Sequence, residues 1–281
     1  DCRFEVYCGR DLMKKSMSQV VHLLRLGYKD TKRSVILWRY WLYRSIIRIN
    51  LKYKESWLGI VWPSMSLVFI TLALGTVWGV ILERAELTFY FAYLAGGFPV
   101  WQTISGSVAS GTKSFSREIV VANIPLSSSI FEKWSEGLLN LAYILPVALL
   151  LPLAVGSSSI GNLLLVVPAI ICIAMWSWGV IAAISVASLL RPDIKHVIGS
   201  IMRVMFLATP VIWEPSRLGD YQEYLWLNPF YPVLELVRYA LTGILHDTRI
   251  LLITPLYSIA VLATGFIVLS RYINIVRLRV A

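Results

Sequence analysis

Residues 163–190 read LLLVVPAIICIAMWSWGVIAAISVASLL, a run of apolar and small residues without a charged side chain. A helix rises about 1.5 Å per residue, so about 20 such residues cross the roughly 30 Å hydrocarbon core of a bilayer. The run is therefore long enough to span a membrane. It predicts an α-helix, because the alternating pattern of a membrane β-barrel is absent.

The sequence contains five further apolar runs, each of which predicts another helix of a membrane bundle. With the first run they occupy residues 60–82, 89–110, 138–155, 163–190, 197–213 and 250–269. The chain has 281 residues, of which 57% are apolar and 15% are charged. Soluble domains have roughly 45–50% apolar and about 25% charged residues. The predicted fold class is therefore all-α, a polytopic membrane protein with six transmembrane helices.

The basic residues predict the orientation of these spans. Of 26 lysines and arginines, 21 fall in segments on the side of the N-terminus and four on the opposite side. Because cytoplasmic segments retain Lys and Arg, both termini are predicted to be cytoplasmic. The net charge of +10 then lies on the inner face and does not indicate nucleic acid. The remaining residue, Arg203, lies within the fifth span, where it is expected either to meet an anionic substrate group or to reach the cytoplasmic interface.

The chain divides into a cytoplasmic N-terminal segment at 1–32, an amphipathic helix at 33–54 and the transmembrane domain at 55–281. The amphipathic helix mixes aromatic residues with a basic row spaced i, i+4, formed by Arg44, Arg48 and Lys52. This pattern predicts a helix in the membrane interface, with its basic row toward lipid phosphates. A simple topogenic anchor is the alternative.

Two connections are neither spans nor plain loops. Residues 113–136 form the longest interior cytoplasmic connection, in which Pro125 is predicted to end a short helix that receives force from a soluble partner. An ordinary surface loop is the alternative. Residues 218–245 are too polar for a seventh span and predict a short periplasmic re-entrant helical hairpin or an amphipathic outer helix. There Glu235 and Arg238 are spaced i, i+3 and are expected to pair.

Catalytic and cofactor motifs are absent from the sequence. The phosphate-binding pattern GxxxxGK[ST] does not occur, and the motifs GxSxG and HExxH are missing as well. The three cysteines have no metal-ligand spacing. We therefore predict no catalytic residue, no metal and no cofactor in this chain. In the second span, Tyr90, Tyr93 and Trp101 share one helical face and are expected either to line a glycan path or to pack against other helices.

Two motifs carry a family resemblance. The run Lys52-Tyr-Lys-Glu-Ser-Trp-Leu-Gly59-Ile-Val-Trp62-Pro63 resembles the R/K-Y-x-x-S-x-L-G-x-x-W motif of type-2 ABC exporter permeases. Leu227-Asn228-Pro229, followed by Glu235 and Arg238, is similar to the same family. With the six predicted spans, residues 33–281 resemble the membrane subunit of exporters of O-antigen, capsule and teichoic acid.

The resemblance implies an assembly and a substrate. It implies a homodimer in the bacterial inner membrane, joined by two copies of a separate nucleotide-binding subunit that binds ATP and Mg²⁺. The substrate implied is a polysaccharide, O-antigen above all, on a polyprenyl diphosphate lipid. The cations expected to attract the diphosphate at the cytoplasmic entrance, by charge-assisted hydrogen bonds, are Arg44, Arg48, Lys52 and Lys54.

The resemblance also implies two mechanical elements. The coupling helix that contacts the ATPase would contain Ser116, Arg117, Glu118, Ile119, Asn123 and Pro125. A periplasmic gate over the channel exit would contain Asn228, Pro229, Glu235 and Arg238.

Two other classes of protein compete with this interpretation. A membrane glycosyl- or acyltransferase would need an acidic or histidine cluster near one interface, and only Glu235 with His246 provides a start for one. An ion-coupled lipid flippase would show internal repeats and intramembrane carboxylates, and the sequence has neither.

Overall fold

The computed structural model of the chain describes residues 21–81, 87–115, 123–156 and 160–280. Within these ranges the chain forms α-helices and two 3₁₀ segments, with no β-strand, which confirms the all-α prediction for the described residues. The 3₁₀ segments are Gly59–Val61 and Pro215–Leu227. The helices in chain order are α1 (residues 21–36), α2 (Trp38–Tyr53), α3 (Trp62–Ile81), α4 (Leu87–Gly111), α5 (Ser127–Val155), α6 (Ile160–Leu190), α7 (Ile194–Ala208), α8 (Tyr231–Thr242) and α9 (Ile250–Val280).

Four helical stretches in the described part of the chain are long and apolar enough to cross a membrane. They are Gly59–Ile81, Ser127–Ala154, Leu164–Leu190 and Ile250–Arg279. These stretches correspond to the first, third, fourth and sixth predicted spans. The chain is therefore a multi-pass helical membrane protein, and the full set of six spans stays a prediction.

The second and fifth predicted spans differ from these four for separate reasons. Helix α4 has 25 residues but contains many Gly, Ser and Thr residues, which lower its hydropathy. Helix α7 has only 15 residues, about 22 Å of helix, and ends at Ala208 because Thr209 is extended. The predicted boundary at residue 213 therefore lies beyond the end of the helix.

Helix α4 lies at the centre of the bundle. It packs against α3, α5, α6 and α8, and its residues Tyr90, Leu94 and Ile104 are fully buried. Its Thr103 and Ser107 hydroxyls donate to carbonyl oxygens one turn earlier, Pro99 O and Thr103 O. A helix surrounded by protein can carry such polar groups, because other helices rather than lipid cover it.

The predicted amphipathic helix at 33–54 is interrupted at Leu37, whose ψ of 26° departs from helical geometry. Beyond this break, α2 packs beside the bundle on the N-terminal part of α5. The Trp41 ring stacks on Phe131 with 5.3 Å between centroids, and the Ser45 hydroxyl donates to Glu132 O at 2.8 Å. The α2 end of the bundle is the end predicted to be cytoplasmic.

The predicted hairpin occupies the other end of the bundle. A 3₁₀ segment, Pro215–Leu227, leads through a turn into α8, which is inserted among α4, α6 and α9. Every residue of α8 except Tyr239 is buried. This short helix is thus enclosed by protein, and its depth in the membrane stays a prediction.

Candidate functional site

A polar cleft opens between α2, α4 and α5. Its volume is about 230 Å³, and the space beside Gly106 and Gly137 is open, since a Cβ atom at either position would meet nothing within 4 Å. The Asn140 Oδ1 atom is buried there and accepts no hydrogen bond within the described structure. A buried oxygen of this kind needs a donor from water or a ligand. The lining residues are Lys52, Tyr53, Pro63, Gln102, Thr103, Gly106, Ser110, Glu136, Gly137, Asn140, Leu141 and Ile144.

The four predicted entrance cations have different surroundings. The Arg44 Nε atom lies 3.1 Å from Glu132 Oε2, and Arg48 pairs with the other oxygen of the same buried carboxylate. Lys52 lies on the polar cleft, with its ammonium 5.2 Å from the centroid of the Tyr53 ring. Lys54 is exposed and does not line the cleft. Only Lys52 of this set therefore borders the cleft.

A second buried carboxylate, Asp30 of α1, holds the start of α5. It accepts hydrogen bonds from the Ser127 amide at 2.9 Å, the Ser127 hydroxyl at 2.7 Å and the Leu126 amide at 3.3 Å. An acceptor at this place satisfies free amides of the first helical turn and suits the helix dipole. Arg277 Nη2, near the end of α9, donates to Asp30 at 3.0 Å. Asp30 therefore ties α1, α5 and α9 together, and no motif in the sequence predicts this role.

The end of the predicted coupling helix lies beside this contact. Asn123 has a φ of 52°, and Pro125 lines a groove of about 540 Å³ together with Lys29, Arg33 and Arg277. Ser116, Arg117, Glu118 and Ile119 lie outside the described residues.

At the opposite end, the expected pair of Glu235 and Arg238 is present and fully buried. The Arg238 Nη1 atom lies 3.2 Å from Glu235 Oε2 and donates to the Tyr93 hydroxyl at 2.6 Å. The Nη2 atom donates to the Pro210 carbonyl at 2.6 Å, and His246 Nδ1 contacts the remaining oxygen of Glu235. The cluster joins α8, α4 and the chain that follows α7.

The aromatic residues predicted on one face of α4 are packed inside the bundle. The Tyr90 hydroxyl donates to Ile212 O at 2.7 Å, and the Tyr93 hydroxyl donates to Trp213 O at 2.7 Å. Trp101 packs on Phe206 with 5.7 Å between ring centroids. In this structure the three side chains attach α4 to neighbouring segments, which is the helix-packing alternative.

The remaining predicted residues lie around α7 and the turn before α8. The Asn228 amide donates to Thr209 Oγ1 at 2.9 Å, and its oxygen accepts from the Phe230 amide at 3.0 Å. The Pro229 carbonyl accepts from the Tyr257 hydroxyl at 2.9 Å. Arg203 is exposed and donates to Ser200 Oγ at 3.2 Å. The structure thus joins Asn228 to the end of α7 but keeps Arg203 away from the buried cluster.

The geometry described so far defines a multi-pass helical membrane protein with a polar cleft at one end and a buried ionic cluster at the other. Residues 37–242 match the family described as ABC-2 type transporter, so the chain belongs to this family of transporter membrane proteins. The predicted family is thereby confirmed. Membership makes the chain a transport subunit and implies a partnering ATP-binding subunit.

The chain is also similar to the O-antigen export system permease protein RfbA of Myxococcus xanthus. The two are 21% identical over 221 residues, which cover 77% of this chain and 84% of the relative.

Proposed function

We propose that this chain is the permease half of an ATP-driven exporter for cell-surface polysaccharide carried on a polyprenyl diphosphate lipid, with O-antigen as the first candidate. It works in the bacterial inner membrane with both termini in the cytoplasm. The family supports transport, and the relative named above supports O-antigen export. ATP and Mg²⁺ bind to the partner subunit, and this chain supplies the pathway.

The polar cleft is the observation that carries the proposal. It places Gln102, Asn140 and the cation of Lys52 beside apolar helices that face lipid. A diphosphate group carries negative charge and accepts charge-assisted hydrogen bonds, while sugar hydroxyls both donate and accept. The cleft offers partners for both kinds of group at the α2 end, where a lipid-linked substrate enters from the inner leaflet.

The motif that precedes α3 lies at the mouth of this entrance. Trp57 is 97% exposed and stands five residues after Lys52. Tryptophan is enriched at the level of lipid headgroups, where its ring is partly apolar and its N–H stays hydrated. We infer that Trp57 marks the height of the headgroups and that Lys52 receives the diphosphate. Arg44 and Arg48 instead stabilise the buried Glu132 carboxylate.

A second copy of the chain completes the pathway in this proposal. No residue of α7 is buried in the single chain. His196, Ser200 and Arg203 are spaced i, i+4 and i+7 and form an exposed polar row along it. A charged residue in a span is costly unless water or protein covers it. A homodimer that places α7 along a central hydrated channel satisfies this condition.

The partner ATPase docks at the α2 end in this proposal, against the coupling segment of residues 116–125. Support comes from Asp30, which connects the residues directly after this segment to α1 and α9. A push on the segment is transmitted to three helices at once, as a rigid-body switch requires. At the far end, the cluster around Arg238 acts as the gate.

The enzyme alternative has one starting point in the structure, the contact of Glu235 with His246. One oxygen of Glu235 contacts His246 and the other lies 3.2 Å from Arg238, and the carboxylate is fully buried. A catalytic base has to reach the proton that it removes. Glu235 has no such access here, so the geometry does not favour a transferase.

We expect removal of this chain to abolish the cell-surface polysaccharide while polyprenyl-linked glycan accumulates inside the cell. The tagged chain should co-purify with an ATP-binding subunit. The measurements are gel analysis of surface polysaccharide and mass spectrometry of the purified complex. Unchanged surface polysaccharide, together with purification without an ATPase, would show that the proposed function is wrong.

We expect Lys52→Glu to weaken the response of ATPase activity to lipid-linked glycan about tenfold or more. Loss of a hydrogen bond to a charged group costs about 1.5–3 kcal/mol. The measurement is the glycan concentration that gives half-maximal ATPase stimulation of the complex in proteoliposomes. Lys54→Glu, which changes an exposed lysine outside the cleft, is the matched control and should behave as wild type. Equal effects of both variants would contradict the assignment of Lys52.

A further inference from the structure

Two tyrosines form an exposed ring pair at the end of the bundle opposite α2. Tyr221 and Tyr224 belong to the 3₁₀ segment Pro215–Leu227 and are 66% and 65% exposed. Their ring centroids are 6.1 Å apart, with 24° between the ring planes. A 3₁₀ helix has three residues per turn, so side chains at i and i+3 eclipse each other. The segment's geometry therefore places the two rings side by side on one edge.

The backbone beneath the pair is anchored on both sides. Leu225 is buried, and the Trp226 ring packs edge-on against Tyr231 with 5.8 Å between centroids. Arg249 Nη2 lies 2.9 Å from Glu223 Oε1 and 2.8 Å from Asp247 Oδ2. These contacts hold the segment on α8 and on the start of α9. The tyrosines thus project from a fixed support.

The Asp247 carboxylate that pairs with Arg249 is ionised. Burial by itself raises the pKa of Asp247, but hydrogen bonds from Arg249 outweigh burial and hold the pKa below its ordinary value. A lowered pKa means that the carboxylate is charged at neutral pH. The charged Asp247 carboxylate therefore holds Arg249 in place at neutral pH, beside Glu223 of the segment.

The chemistry around the rings suits a sugar. An aromatic ring has an electron-rich face, which attracts the slightly positive C–H groups on the flat side of a pyranose. The exposed side chains of Asp220 and Gln222 lie next to Tyr221 in the chain and offer hydrogen-bond partners to hydroxyl groups. Two rings in a row, with polar side chains beside them, can contact successive sugar units.

The charges argue against a membrane surface as the occupant. Segments that bind anionic lipid headgroups are rich in Lys and Arg. The segment Pro215–Leu227 carries Asp220 and Glu223 against a single cation, Arg217. Its carboxylates repel anionic headgroups, whereas they accept hydrogen bonds from a neutral glycan.

We propose that Tyr221 and Tyr224 form a glycan-binding platform that contacts the polysaccharide as it leaves the exporter. The platform rests on the proposed function, because that function supplies the glycan and places this end of the bundle outside. It adds a binding site on the outer surface to the cleft at the α2 end. The ring faces supply affinity, and the neighbouring polar side chains orient the sugar.

Binding to the intact exporter complex in nanodiscs of zwitterionic lipid tests the platform. The probe is surface polysaccharide released by mild acid from the cells that express the chain, measured by calorimetry. Tyr221→Ala combined with Tyr224→Ala should weaken binding about tenfold, because both ring faces that contact the sugar are removed. Tyr221→Phe with Tyr224→Phe keeps the rings and should retain most of the affinity.

A matched control and three outcomes make the test decisive. Tyr43→Ala removes a tyrosine that is also 65% exposed but lies on α2, so binding should not change. Unchanged binding in the double alanine variant overturns the platform. The platform is also overturned if the double alanine variant binds glycan normally while brominated lipids quench the fluorescence of the segment less than in wild type. That result would identify the two tyrosines as a membrane anchor. Loss of surface polysaccharide on removal of the chain, with normal binding by the double alanine variant, refutes the platform and leaves the exporter function standing.

Discussion

Gly265→Ala is expected to lower the free energy of unfolding by about 1–3 kcal/mol, the range for overpacked sites. Helices α6 and α9 cross here with their backbones in contact. A Cβ atom on Gly265 would lie 2.6 Å from Gly179 Cα and closer still to the Gly179 carbonyl oxygen. Backbone atoms cannot rotate away from the new methyl group, so the two helices must separate. Unfolding in mixed micelles with rising SDS fraction, followed by tryptophan fluorescence, measures the loss.

Gly199→Ala is the matched control for this crossing. Gly199 lies within helix α7, and a Cβ atom there would meet nothing within 4 Å. Alanine in an unobstructed helical position reduces the entropy of the unfolded chain and commonly stabilises by about 0.4–1 kcal/mol. Opposite signs for the two substitutions are expected. Equal effects would mean that intrinsic helix propensity, rather than the crossing, decides stability at Gly265.

Hydropathy predicts the helices that face lipid and is less informative about the others. The four stretches that qualify as spans are long apolar runs in the printed sequence. Helix α4 is covered by other helices and needs no continuous apolar surface, and α7 is too short to be recognised by length. The number of spans therefore follows only partly from composition. A helix that faces lipid needs a continuous apolar surface, whereas a helix that is surrounded by protein does not.

The spacing of residues along one helix predicts one buried ion pair. The other buried carboxylates pair with arginines that are distant in the sequence, so spacing does not predict them. Glu235 and Arg238 lie one helical turn apart, so their pairing can be inferred from the sequence. Glu132 and Asp30 meet their arginines only after α2 and α9 pack against the rest of the chain, across 84 to 247 positions. Spacing along one helix carries no information on such partners. The spacing of the basic row of α2 therefore predicts lipid phosphates as its partners, whereas Arg44 and Arg48 pair with Glu132 in the structure.

The spacing of the aromatic residues likewise does not reveal their long-range contacts. Tyr90, Tyr93 and Trp101 share a helical face, as their spacing indicates, but the spacing does not reveal what covers that face. Their burial depends on the residues after α7, which are distant in the chain. The exposed tyrosines Tyr221 and Tyr224 are three residues apart in the sequence. Their stacking follows only once the segment is known to be a 3₁₀ helix rather than an α-helix.

Arg238→Met is expected to cost about 3–5 kcal/mol of stability and to stop export, the largest effect that we predict. The substitution removes the guanidinium from the fully buried Glu235 carboxylate, which still contacts His246. It also removes the donor to the Pro210 carbonyl and the Tyr93 hydroxyl. A buried carboxylate that has lost its guanidinium costs far more stability than the intact pair contributes. SDS titration of the purified chain measures stability, and gel analysis of surface polysaccharide measures export.

The double variant Glu235→Gln with Arg238→Met separates charge from packing. It removes the carboxylate charge together with the guanidinium, and the glutamine side chain can still bond His246. We expect it to recover most of the stability, since replacing both partners of a buried pair is often close to neutral. Export should stay low in the double variant if the arginine itself holds the gate through Pro210. Arg249→Met, which removes a half-exposed arginine from a surface ion pair, should change stability much less than Arg238→Met. A double variant as unstable as the single one would show that the lost contacts to Pro210 and Tyr93, rather than the carboxylate that has lost its guanidinium, determine the stability of this end of the bundle.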